Sequence, residues 1–199
     1  DILEDIVGHK VVSWRCPRLF GGTHVTNALE ALGYECDATY PMYFYNEQLF
    51  PYHPSQENWT EQGSLNLIEI IQFADMGMES KDDYGRDKDQ WPLYRTQSTE
   101  AFIPHIESFM SYLEKNDQSQ KPIVLCFYFH PWEFWEMPEG VIHYGEGGVM
   151  PDPFLTKGCG KYCLNEVELL IDWLKSKDAT FLTAGQCARK WKKILAKPD

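Results

Sequence analysis

No stretch of this sequence is long and apolar enough for a membrane-spanning helix. Its longest uninterrupted apolar run is Ile123 to Phe129, far short of the ~20 residues that a bilayer requires. Positive charge is also scarce. With 18 Lys and Arg against 30 Asp and Glu, the net charge is −12. That balance argues against nucleic acid as a partner, because such binders draw most of their affinity from cations set against phosphates. It argues equally against a basic membrane-surface anchor. Repeats and low-complexity segments are absent. The pattern of a secretory signal peptide is missing too, which leaves the compartment open and leans towards the cytoplasm. Cysteines are few and scattered: Cys16, Cys36, Cys126, Cys159, Cys163 and Cys187. Only Cys159 and Cys163 sit close together, and structural zinc wants four ligands. A small disulfide loop is one reading of that pair, and ordinary free thiols are the favoured one.

What is present fits a soluble globular chain. Hydrophobic residues make up 43% and charged residues 24% of 199, enough for one large domain over residues 1–199. Aromatic residues are abundant at 15%. Rings are stacking platforms for sugars, but filling a large core is their commoner use. Asp1 to Val7 reads as the tail of an amphipathic helix, and an opening Asp in place of Met suggests a fragment of a longer chain. Asn58-Trp59-Thr60 matches a glycosylation sequon by pattern alone.

Lys10 to Trp14 is a short β-branched run that reads as a buried strand, ended by Pro17, which cannot donate to a sheet. Val25, Ala28, Leu29 and Leu32 recur at helical spacing from Thr23, and Gly33 stands where a helix terminus wants it. Tyr34 to Ala38 follows as a strand, completing a βαβ unit. Tyr40 to Gly63 is a long aromatic loop of the kind that covers a site. Leu65 to Phe73 reads as a strand. Phe102, Ile106, Phe109 and Leu113 mark a helix face, with Pro104 in its first turn. Ile123 to Phe129 gives the strongest strand signal, as in a strand buried on both faces. His130 to Phe154 reads as a loop. Asn165 and Glu168 suggest a capping box ahead of Val167, Leu170, Ile171 and Leu174. Ala179 to Leu182 reads as a strand, and Thr183 with Gln186 caps a last helix that ends in basic residues. The class is therefore α/β, and barrel-like, because polar groups gather just after strand ends.

Two such groups are candidates to carry chemistry. Arg15 follows the first strand and His130 follows Ile123–Phe129. A histidine there can exchange a proton near neutral pH, and an arginine can hold a carboxylate in its fork. A structural ion pair at Arg15 and a loop cap at His130 are the plainer alternatives.

Trp14-Arg15-Cys16-Pro17, followed by a helix and Gly33-Tyr34-Glu35-Cys36-Asp37, resembles the F/W-R-x-P … G-Y/F-x-x-D segment of the polysaccharide deacetylase (NodB-homology) family. Ile123-Val124-Leu125 through Phe129-His130-Pro131-Trp132-Glu133-Phe134 resembles that family's strand ending in its catalytic histidine, near the allantoinase-like and peptidoglycan deacetylase branch. The resemblance covers nearly the whole chain in layout and rests on these two short motifs. It implies a distorted (β/α)7-type barrel and a hydrolase that removes N-acetyl groups from sugars. A divalent metal, usually zinc, would activate water in the complete site. Arg15 would orient the base, His130 would protonate the leaving amine, and Asp37 would tune the histidine, although the Trp expected after it is missing. Pro17 and Trp132 would shape the acyl and sugar pocket.

The family's Thr-Phe-Asp-Asp and His-x-x-x-His motifs are not in this sequence, and its six histidines contain no i, i+4 pair. The expectation is a barrel incomplete on its N-terminal side, prone to self-association, and inactive as a deacetylase on its own. An improvised metal site could draw only on His130, Glu133 and His143, with Asp152 beyond. Glu133, Glu136, Glu139 and Glu146 read as solvated loop carboxylates, and Gly145 to Gly148 as a flexible loop and not a phosphate cradle. Two other functions compete. One is an allantoinase-like hydrolase of a small or cyclic amide. The other is a non-catalytic carbohydrate-binding module using Trp59, Trp91, Trp132 or Trp135 as stacking plates. A glycosidase ranks last, since no carboxylate pair is named.

Overall fold

The computed structural model describes residues 2–138 and 140–196. Its α-helices are α1 (Ile2–Val7), α2 (Thr23–Ala31), α3 (Met42–Tyr45), α4 (Leu93–Thr96), α5 (Thr99–Asn116), α6 (Pro153–Thr156), α7 (Lys161–Ser176) and α8 (Ala184–Leu195). Its strands are β1 (Ser13–Trp14), β2 (Cys36–Asp37), β3 (Ile68–Glu69), β4 (Ile142–Tyr144) and β5 (Gly147–Val149). The chain divides into two compact units. The first comprises Asp1–Asp89, Met110–Phe127 and Phe181–Asp199, and the second Gln90–Phe109 and Tyr128–Thr180. Among the described residues no helix is long and apolar enough to cross a membrane.

The first unit is built on a parallel sheet in the order β1-β2-β3. The predicted βαβ unit is there: β1 pairs in parallel with β2, and α2 makes the crossover. Gly33 adopts φ +74°, the left-handed turn that lets Tyr34 N–H reach back 3.0 Å to Leu29 O and close the helix. Trp14, Asp37 and Glu69 stand in register across the three strands. Cys36, Ala38, Ile68 and Ile70 pack on the other face against Cys187, Ala188 and Trp191 of α8. That helix begins as the sequence predicts, with Thr183 and Gln186 closing a reciprocal capping box.

The long loop after β2 is packed, not loose. Tyr40, Tyr52 and Trp59 are buried, and their rings meet edge to face at 5.8–5.9 Å around Tyr40. Gly21 admits the Trp59 ring: a Cβ there would stand 2.5 Å from it. The aromatic excess therefore fills a core in this unit, and Trp59 is no exposed stacking plate.

Several expectations need correction. Ile123–Phe129, the strongest strand signal, forms no ladder among the described residues, and neither does Ala179–Leu182. Apolar β-branched sequence supplies only the propensity, and a strand needs a paired neighbour. Phe73 N–H does reach Cys126 O at 2.7 Å, which marks where the segment passes the chain beyond β3. The paired parts of the first three strands are also shorter than their apolar runs. Helix α5 starts at Thr99, where Glu166 accepts from Thr99 N–H at 2.5 Å, so Pro104 falls inside the helix. Helix α7 starts at Lys161, which puts Asn165 and Glu168 within it. Gly145 to Gly148 form the turn and first residues of the β4–β5 hairpin. All six cysteines are free thiols. The fold is mixed α/β, and the described strands do not close a barrel.

Candidate functional site

In the first unit the polar residues gather where the parallel strands end, the usual ligand-binding edge of such sheets. Arg15 follows β1 directly. Its Nε donates to Ala38 O at 2.9 Å and its Nη2 to Cys126 Sγ at 3.2 Å. Gln72 Nε2 donates to the same two acceptors. On the other face of β2, Thr39 Oγ1 donates to Asp37 Oδ1 and accepts from Cys16 N–H at 2.9 Å. Glu69 Oε1 accepts from Thr39 N–H at 3.1 Å and Tyr40 N–H at 2.8 Å. Among the described residues, Asp37 Oδ2, Glu69 Oε2 and Gln72 Oε1 are buried without a hydrogen-bond partner.

Two carboxylates on paired positions of adjacent strands cannot both shed their protons cheaply in a dry interior. Burial pushes Asp37 up to about 6, against the opposing pull of Thr39, the Ala38 backbone and the Arg15 guanidinium. Burial and the neighbouring Asp37 charge hold Glu69 well above the ordinary carboxylate range. The pair titrates as one system that keeps a proton into the neutral range.

In the second unit, Pro131 starts a 3-10 turn over Pro131–Phe134. That turn folds Glu133 back under His130, since residues three apart eclipse in this geometry. His130 Nδ1 lies 3.1 Å from Glu133 Oε1, with the imidazole 41% exposed and the carboxylate 0% exposed. Trp91 Nε1 donates to the same oxygen at 2.6 Å, and Tyr94 OH donates to Oε2. Burial and Glu133 push the Tyr94 phenol far up, so it stays a donor. The His130 ring stacks on Trp132 at 5.4 Å and meets the edge of Trp91 at 5.0 Å. Arg95 is fully buried beside them. Its guanidinium lies 5.4 Å from the Trp132 ring and donates to the carbonyls of Lys157 and Phe154.

The predicted site residues thus fall into two groups. Arg15, Pro17 and Asp37 belong to the first unit, where Arg15 and Asp37 flank the same strand end and Pro17 opens a 3-10 turn running to Leu19. Arg18 and Leu19 in that turn hold left-handed backbone, at φ 55° and 56°. His130 and Trp132 belong to the second unit, face to face. Asp37 accepts from Thr39 at Oδ1 and stands in register with Glu69, and the carboxylate on the His130 ring is Glu133.

Glu133 is accordingly not a solvated loop carboxylate. Glu139 lies outside the described residues. Glu133 is tied to Trp91 and Tyr94, His143 lies on β4, and Asp152 caps α6, so the improvised set does not assemble as a metal site. Among the described residues no group of three or more His, Cys, Asp or Glu is placed to hold a metal ion. These residues therefore do not meet the donor set that the resemblance implies. The sequence matches no protein-family model, no curated protein and no solved structure.

Sequence reading missed Glu69, Tyr94 and Arg95, and it gave other roles to Glu133, as a loop carboxylate or metal ligand, and to Trp91, as a stacking plate. A signal existed for two of them. Glu69 is the only charged residue in the apolar run Leu67 to Phe73, and a charge there needs a partner. Glu133 is three residues from His130, immediately after a proline.

Proposed function

We propose that this chain belongs to a hydrolase of the polysaccharide deacetylase type, acting on the amide bond of N-acetylated sugars, with His130 as the group that protonates the leaving amine. The carrying observation is the His130 imidazole: half exposed, held at Nδ1, and walled by Trp132 and Trp91. Such a ring presents one nitrogen to a substrate whose sugar face can lie on indole. On the same reading Arg15 orients the base, Trp132 contacts the substrate, and β1-β2-β3 forms part of a distorted (β/α)7-type barrel. The divalent metal of that chemistry is part of the proposal and rests on the resemblance alone.

A second reading has its own observation. Trp135 is 76% exposed, as a stacking plate of a carbohydrate-binding module would be.

The test combines binding with turnover on the full chain. Oligomers of N-acetylated sugars should shift the His130 ring resonances and change tryptophan fluorescence, and any amine release should be lost in His130→Ala. Binding that is indifferent to His130→Ala and to chelator, with no release, would leave the binding module. Release from a cyclic amide alone would favour the allantoinase-like hydrolase. No binding and no release with either class would overturn the proposal.

A further inference from the structure

We infer that Glu133 is the positioning residue of His130, fixing the imidazole in the Nδ1–H tautomer so that Nε2 is the nitrogen offered to a substrate. The inference rests on the reading of His130 as a proton-transfer group but is argued from donor and acceptor accounting alone. Trp91 Nε1–H can only donate, so Glu133 Oε1, 2.6 Å away, accepts from it. Tyr94 keeps its phenolic proton and donates it to Oε2. Both carboxylate oxygens are thus already acceptors. The contact at 3.1 Å between Oε1 and His130 Nδ1 is then a hydrogen bond only if the proton sits on Nδ1. Nε2 makes no hydrogen bond among the described residues. When neutral, the ring offers a lone pair there; when charged, it offers an N–H. Both are what a reversible proton carrier needs.

The carboxylate itself is held from three sides. Trp91 and Tyr94 arise from one short segment, Glu133 from the 3-10 turn, and Gly160 N–H donates to the Glu133 carbonyl at 2.8 Å. Such a buried, fully bonded carboxylate cannot swing away from the ring it orients. Stacking of the imidazole on Trp132 at an interplanar angle of 29° fixes the remaining freedom of the ring plane.

The experiment is long-range 1H–15N correlation on the full chain labelled with 15N-histidine, recorded where His130 is neutral. His130→Gln identifies the resonance by its disappearance. The expected spectrum shows a protonated Nδ1 and an unprotonated Nε2. A hydrogen bond to a carboxylate favours that tautomer by about tenfold or more. Glu133→Gln should keep it, because Trp91 pins the amide oxygen on the same side. Glu133→Leu should return the ring to the Nε2–H form that free imidazole prefers. An Nε2–H tautomer in the unmodified chain overturns the inference with no variant needed, so a failure of Glu133→Leu to fold does not shield it. The measurement involves no substrate. A correct tautomer with no binding of N-acetylated sugars would sink the deacetylase reading and leave the role of Glu133 intact, and an Nε2–H tautomer with such binding would do the opposite.

Discussion

Asp37 and Glu133 are both carboxyl groups shut away from solvent, each beside a polar turn at the end of an apolar segment, yet their surroundings oppose each other. Asp37 stands in register with a second acid, Glu69, on the neighbouring strand, and three side-chain oxygens near that edge lack partners. Glu133 is ringed by donors: an indole, a phenol and an imidazole. Burial alone raises a carboxyl group's affinity for its proton, and what stands opposite decides whether that rise survives. The acid pair stores a proton within the first unit. The acid ringed by donors orients an imidazole in the second, because both of its oxygens are acceptors.

Removing an acceptor should break this comparison most sharply. Glu133→Leu takes from the indole N–H and the phenol the buried carboxylate that both donate to, and breaking a buried polar set in this way costs about 3–5 kcal/mol. Denaturant titration of the variant checks this, and a loss below about 1 kcal/mol would show the cluster to be looser than its geometry.

The acid pair should respond in the other direction. The folded pKa of Asp37 lies near 6, above its ordinary 3.8, so the folded chain holds a proton that the unfolded chain has released. Its contribution is therefore complete below about pH 4 and is lost as pH rises through 6, by an amount on the order of 3 kcal/mol. Stability should fall between pH 4 and pH 7, through this pair, as measured by urea midpoints in parallel buffers. Asp37→Asn removes one of the two titrating groups and should make that profile shallower, with buried Glu69 still contributing. An unchanged slope would mean that Asp37 does not titrate in this range.

A smaller effect separates local from tertiary stabilisation. Thr183→Ala removes the cap of α8 and should cost about 1 kcal/mol, independent of pH between 5 and 8, which thermal melts would show.

The comparison also marks how far the sequence could be read. The crossover from β1 through α2 to β2, the apolar face of α5 and the capping box of α8 were legible because each is set by neighbours within a few residues: periodicity, a glycine at a helix end, a Thr and a Gln three apart. His130 and Arg15 were legible as residues that follow apolar runs. Ile123–Phe129 misled because its composition reports propensity for an extended chain, while a ladder depends on a partner distant in sequence. Glu133 misled because a carboxylate in a proline-rich loop is solvated unless something buries it, and what buries it comes from Trp91 and Tyr94, some forty positions earlier. Glu69 was hidden in an apolar run whose strand character drew attention away from its charge.

By itself, then, the sequence determined the α/β class, the positions of the principal helices, an acidic surface charge and the pair of segments that resemble a deacetylase. These follow from short-range periodicity and from sums over composition. Only the tertiary structure decided which acids face each other across strands, which oxygen holds the His130 ring, and that Trp59 is core while Trp135 is surface. Burial and hydrogen-bond satisfaction are properties of groups brought together from distant parts of the chain, and no local pattern encodes them.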